Sequence, residues 1–222
     1  MAGAAAALSL GAFNRNSRIF GPTLGRLSAS ESVVALTFDD GPNPMATPRV
    51  LDELGREGVS ATFFLLGRHV DRWPHLARAV VDAGHQVGNH GFHHRKLHLR
   101  GPAYVRLDIA LGTDAIERAT GVRPAFFRAP HGFRSPWVTP IAARMGQRTV
   151  GWTLGVWDSA RPGADAIARR AIAGVVPGCI LLLHDGDGYD PEGDRTQTAA
   201  ALPTIIGALR DRGYRFATLP PS

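Results

Sequence analysis

Cysteine is nearly absent from this chain: Cys179 is the only one in 222 residues. A single thiol excludes an internal disulfide and any zinc site built on paired cysteines, and its apolar neighbours make it a small core residue. Lysine is just as scarce. Lys96 stands alone, so the other basic residues are arginine, and 25 basic against 19 acidic side chains leave a net charge of +6. The arginines are scattered, whereas a nucleic-acid face needs a basic cluster. The expectation is therefore no nucleic-acid partner, but a solvated basic surface that also suits an anionic envelope polymer. That surface points to an envelope or extracytoplasmic location. No apolar run approaches the roughly 20 residues that cross a bilayer, so no transmembrane segment is expected. Residues 1–13 are Ala-rich and apolar but have no basic lead, and are expected to form a packed or frayed segment. There is also no internal repeat, long linker or composition break. The chain reads as a lead-in over residues 1–32 and one domain over residues 33–222.

What the chain has is alternation. Apolar, β-rich runs fall at residues 33–38, 60–66, 86–89, 125–128, 148–156, 178–184 and 214–219. Segments with helical spacing lie between them, at residues 47–57, 74–83, 103–120, 136–145, 164–173 and 196–212. Near-continuous apolar strands alternating with helices imply a parallel sheet covered by helices. Polar residues recur where strands end: Asp39 and Asp40, Asn89 and His90, Arg128, Trp157 and Asp158, His184 and Asp185. In a barrel the carboxyl ends of the strands share one mouth. The expected fold is thus an α/β protein, a distorted (β/α) barrel of about seven parallel strands, rather than an open doubly wound sheet.

Two motifs carry chemistry. Thr37-Phe38-Asp39-Asp40-Gly41-Pro42 puts adjacent carboxylates at the end of a buried strand. A buried charge is costly unless it is paired or metal-bound. Alternate strand residues face opposite ways, so a bend at Gly41-Pro42 is needed for one carboxylate to hold a cation while the other stays free as a base. His90 and His94 are four residues apart, which puts two imidazoles on one face of a helical turn. Two histidines and a carboxylate suit zinc with an open water position. His93 points elsewhere on such a turn.

With Arg128-Ala-Pro-His-Gly132, Asp158 and Leu182-Leu-His184 added, the chain resembles the polysaccharide deacetylase family (NodB-like; chitin, peptidoglycan and acetylxylan deacetylases) from residue 34 to residue 219. The resemblance implies a metal-dependent hydrolase that removes acetyl groups from an N-acetylglucosamine-type carbohydrate, with O-deacetylation or a silent binding protein as alternatives. It places Asp40, His90 and His94 on the ligands of one divalent ion, zinc or another such as cobalt. It places Asp39 on the general base, Arg128 on the residue that orients the base, His184 on the general acid and Asp158 on the residue that steers the acid. An amine leaving group needs that proton, and an aspartate partner keeps such a histidine charged near neutral pH. The backbone N–H after Asp40 is expected to help hold the oxyanion.

Three positions depart from the family pattern: Gly91 where Ser or Thr is usual, His131 where Tyr or Phe is usual, and Ser159 where Trp commonly follows the aspartate. They bear on substrate more than on reaction. His131, Trp137, Trp157 and Leu182 are expected to contact the sugar, with Phe133 and Tyr189 lining the pocket. The Gly- and Asp-rich residues 185–191 are expected to form a loop over the site. The chain is expected to act as a monomer.

Overall fold

The computed structural model describes residues 2–220. The central strand, β1 (Val33–Asp39), is buried along its whole length, as a continuous apolar run covered on both faces must be. It is followed by α2 (Ala46–Glu57), β2 (Thr62–Leu65), α3 (Gly67–Arg72), α4 (Pro74–Asp82), β3 (Gln86–Asn89) and α5 (Pro102–Thr120). Then come β4 (Phe126–Phe127), α6 (Val138–Arg144), β5 (Arg148–Thr149), β6 (Leu154–Gly155), α7 (Ala164–Gly174), β7 (Cys179–His184), α8 (Thr196–Asp211) and β8 (Arg215–Phe216). A helix, α1 (Ala2–Phe13), precedes them all.

Seven strands pair in the order β5-β4-β3-β2-β1-β7-β6, and β8 pairs with the start of β1. Every pairing is parallel. The sheet curls into a distorted barrel left open between β5 and β6. The lead-in stitches that seam: Leu24 bridges to Val150, and the Leu27 amide donates to the Gly178 carbonyl at 2.8 Å.

Strand periodicity sorts the side chains. Val34, Leu36 and Phe38 of β1, with Cys179, Leu181 and Leu183 of β7, join the core beneath the helices. Ala35 and Ile180 face inward and join a smaller lumen core with Phe64 and Phe126. The inward faces therefore run Ala35–Thr37–Asp39 and Ile180–Leu182–His184, from apolar at the bottom to polar at the mouth. Burial raises the Cys179 thiol to about 11, which leaves it inert.

Two elements differ from expectation. Residues 148–156 are not one strand. They pair with β4 on one edge, cross the seam, and pair with β7 on the other. Gly151 lies at the crossing, where a Cβ would come within 2.1 Å of Asn16 Oδ1, so the lead-in threads through the break. The short helix α3 was not expected, because six residues are too few to show a period.

Candidate active site

In-register parallel strands bring the strand-end residues together. Asp39 is the cross-strand partner of His184 on one side and of Phe64 on the other; Leu65 pairs with Asn89, and Asn89 with Phe127. The residues just past those ends therefore converge on one cavity of about 740 Å³. Four of the five non-glycine residues with positive φ line it: Asp40 (72°), His94 (57°), His131 (60°) and Trp157 (58°). Such conformations cost on the order of 1–3 kcal/mol each and persist where the surroundings over-determine them.

The bend that separates the two carboxylates starts at Asp40 itself, one residue earlier than expected. Its carbonyl is held by His69 Nδ1 at 2.8 Å. Its Oδ1 is buried, receives no hydrogen bond, and faces His94 Nε2 at 3.1 Å and His90 Nε2 at 3.4 Å. His90 Nδ1 lies 2.8 Å from the Arg128 carbonyl, which can only accept, so this nitrogen carries the proton and Nε2 keeps its lone pair. One ligand atom from each of Asp40, His90 and His94 falls within 4.8 Å of the others. An orphaned carboxylate oxygen opposite two imidazole nitrogens fits a divalent cation. Burial pushes the Asp40 carboxyl up, but His94, His90 and His184 outweigh it and hold it well below the carboxylate range. Burial, partly opposed by Asp39 and Asp40, holds the His90 imidazole below its ordinary value.

The histidines do not converge through a helical turn. Residues 90–94 form a loop, bent by the left-handed Gly91 (φ 80°) and His94. Asp108 of α5 secures it, accepting from the Phe92 and His93 amides and pairing with His93 Nδ1 at 2.8 Å. His93 therefore braces this loop and does not join the cluster.

Two pairs flank the cluster, one buried and one partly buried. Arg128 Nη1 donates to Asp39 Oδ1 at 2.7 Å and to Thr37 Oγ1 at 2.9 Å, while Nη2 donates to the Gly151 carbonyl. Asp39 Oδ2 lies 3.7 Å from His90 Nε2. Asp158 takes His184 Nδ1 on one oxygen at 2.8 Å and the His184 amide on the other at 2.7 Å. Burial alone would lower the His184 imidazole, but Asp158, helped by Asp40 and Asp39, raises it to about 9. Such an imidazole carries a proton at neutral pH.

Of the residues expected to touch sugar, His131, Trp157 and Leu182 line the cavity, as do Phe133 and Tyr189. Trp137 does not: it caps the start of α6, 45% exposed and away from the mouth. Trp152, Phe13 and Arg15 line the cavity instead. Trp152 lies in the seam crossing and Phe13 and Arg15 in the lead-in, and neither segment has a periodicity that signals a site.

Comparison with known proteins decides the family. Residues 26–150 match the polysaccharide deacetylase family model. A chitooligosaccharide deacetylase from Bradyrhizobium sp. (strain ANU 289) is 40% identical over 205 residues, covering 88% of this chain and 92% of the relative. The chain belongs to the polysaccharide deacetylase family. The Bc1960 peptidoglycan N-acetylglucosamine deacetylase superposes with a TM-score of 0.84 at 31% identity, covering 89% of this chain and 91% of that one. BA3943, a CE4 family pseudoenzyme from Bacillus anthracis, superposes at 0.80 and 30% identity, covering 88% and 66%. This chain is accordingly a carbohydrate deacetylase, a hydrolase, and the described residues contain no helix long and apolar enough to cross a membrane.

The three departures from the family pattern have local replacements. A Cβ at Gly91 would lie 2.5 Å from Asp108 Oδ2, so the Asp108 carboxylate occupies the space of the missing side chain and steadies the loop of residues 90–94 itself. His131 is held neutral, its pKa lowered to about 4 by burial and then by His94 and His90; its Nε2 meets the Tyr189 hydroxyl at 3.0 Å. Ser159 accepts Arg195 Nη1 on its carbonyl at 2.8 Å, and Arg195 in turn holds Gly186 and Asp187 of the loop over the site.

Proposed function

We propose that this deacetylase hydrolyses the N-acetyl group of N-acetylglucosamine-type carbohydrates with one divalent cation. The observation that carries the reading is the pairing, in one cavity, of a buried aspartate braced by arginine with a partly buried histidine kept charged by aspartate. Asp40, His90 and His94 would hold the ion, zinc or another divalent ion such as cobalt, which supplies Lewis acidity and an acidified water when bound.

The protein's own groups do the rest. Asp39 takes the proton of the attacking water, its free oxygen set by the bond from Arg128 to the other. His184, charged against Asp158, delivers a proton to the nitrogen that leaves. That proton matters more for an amine than for an alcohol, which favours N- over O-deacetylation. Leu182 supplies apolar wall between the strand ends, suited to an acetyl methyl, and the aromatic rings of the mouth offer faces to sugar. A catalytically silent binding protein has no use for both a base and an acid. Acetate release from N-acetylglucosamine oligomers, beside acetylated xylan, tests the reading. Release from the first, lost with His184→Ala, supports it; release only from xylan refutes the N-acetyl assignment.

A further inference from the structure

The lead-in is part of the active site. Phe13, at the end of α1, and Arg15 line the cavity together with the strand-end residues. Their placement is built in. Arg134, 1% exposed, donates from Nη2 to the carbonyls of Asn14 (3.1 Å) and Ser17 (2.8 Å) and from Nη1 to Thr23 Oγ1 (2.6 Å). Asn16 Nδ2 donates to the Trp152 carbonyl at 2.9 Å. Two glycines make room for the chain. A Cβ at Gly151 would lie 2.7 Å from the Arg15 carbonyl, and one at Gly132 would lie 2.9 Å from Arg15 Cβ and 2.7 Å from the Trp152 ring.

This threading puts the Arg15 guanidinium over Trp152. Its Cζ is 4.9 Å from the ring centroid, and its Nε donates to the Trp152 carbonyl at 3.1 Å. Arg128, which holds Asp39, has its own Cζ 5.8 Å from the same centroid. One indole therefore separates Arg15 from the base pair.

Charge in the cavity does not balance. Three acids on its wall pair with cations, Asp39 with Arg128, Asp158 with His184 and Asp187 with Arg195, and Asp40 faces His90 and His94 where a divalent ion would sit. Among the described residues no carboxylate pairs with two of the cations on the lining, Arg15 and Lys96. Both unmatched charges are positive. Beside them Phe13 packs edge-on against Phe133 and His98 while staying half exposed, which leaves a ring to meet a sugar.

We infer that Phe13 and Arg15, with Lys96, form a binding wall that selects an acetylated carbohydrate bearing a carboxylate or phosphate beside the sugar to be deacetylated. The inference rests on the deacetylase reading for the sugar itself. The test is calorimetric binding to the full-length chain of N-acetylglucosamine oligomers of two to four units, either neutral or carrying one carboxylate or one phosphate at the reducing end. The acidic oligomers are expected to bind about five- to tenfold more tightly than the neutral ones, with a margin that shrinks as salt rises. A margin for one anion alone identifies the source of the charge. Arg15→Gln keeps a donor for the Trp152 carbonyl and removes the charge, so the margin should shrink. Lys96 is exposed, so Lys96→Gln reduces the margin without disturbing the lead-in and serves if the first variant does not fold. Equal affinity for neutral and acidic oligomers in the wild type overturns the inference, as does an undiminished margin in a folded variant. Selective binding without acetate release refutes the deacetylase reading instead, and acetate release without charge preference refutes only the wall.

Discussion

Asp39 on β1 and His184 on β7 are partners in one parallel ladder, and the Asp185 amide donates to the Asp39 carbonyl at 3.2 Å just beyond them. The proposed base and acid thus share one backbone pairing between the two longest strands. Their separation is set by the sheet rather than by loops, which suits groups that must act on the same bond.

If Asp39 is the base, Asp39→Asn removes proton acceptance while leaving Asp40, His90 and His94 in place. Acetate release should fall about 10²- to 10⁴-fold, with metal content per chain unchanged by elemental analysis. Turnover that survives this change would assign the base elsewhere.

His184 carries a pH signature. Its pKa is raised to about 9, against burial, by Asp158 first. The acid is competent while protonated, so kcat should decline on the alkaline side as His184 loses its proton. Asp158→Asn should move that decline toward the ordinary histidine value of about 6.5. Stability follows the same sign: the charged pair contributes fully below about 6.5, and its contribution is lost as pH rises through about 9. Rate profiles and denaturant melts against pH check both.

Gly186 lies against the backbone at Asp40 and Gly41. A Cβ there would sit 2.2 Å from the Asp40 carbonyl oxygen and 2.8 Å from the Gly41 nitrogen, and neither can swing aside. Gly186→Ala should displace Asp40 and weaken metal binding about 10- to 100-fold, measured by competition with a chelating dye. Unchanged affinity would mean that the loop over the site relaxes freely.

Arg134→Ala should release the lead-in. Three oxygens lose a charged donor, and the loss should be about 3 kcal/mol in a urea titration. KM should rise more than kcat falls, because the cavity loses a wall and not a proton-transfer group.

The barrel and the gathering of polar strand ends at its mouth could be read before the structure because they depend on local rules. Continuous apolar runs mark strands buried on both faces, and parallel strands gather their carboxyl ends, so Asp39, Arg128, Asp158 and His184 fall together. The spacing of His90 and His94 pointed to one cluster, but by the wrong geometry: a loop bent at Gly91 and His94, not a helical turn, aims them at Asp40. What local rules could not show is tertiary threading. Phe13 and Arg15 lie in a segment without periodicity, and only Gly132, Gly151 and Arg134, remote in sequence, bring them to the mouth. The same crossing splits residues 148–156 and turns Trp152 toward the cavity, whereas Trp137, beside the arginine motif in sequence, faces away from it. His69 of α3 holds the Asp40 carbonyl and Asp108 of α5 holds the loop of residues 90–94, with no motif to announce them.

The most direct test of the account is acetate released from an N-acetylglucosamine tetramer by the protein as purified, after chelation, and after return of one divalent ion. The account predicts release by the metal-loaded chain, none by the stripped chain, and recovery in proportion to metal bound. No release from a chain shown to hold its metal, or full release from the stripped chain, would contradict it.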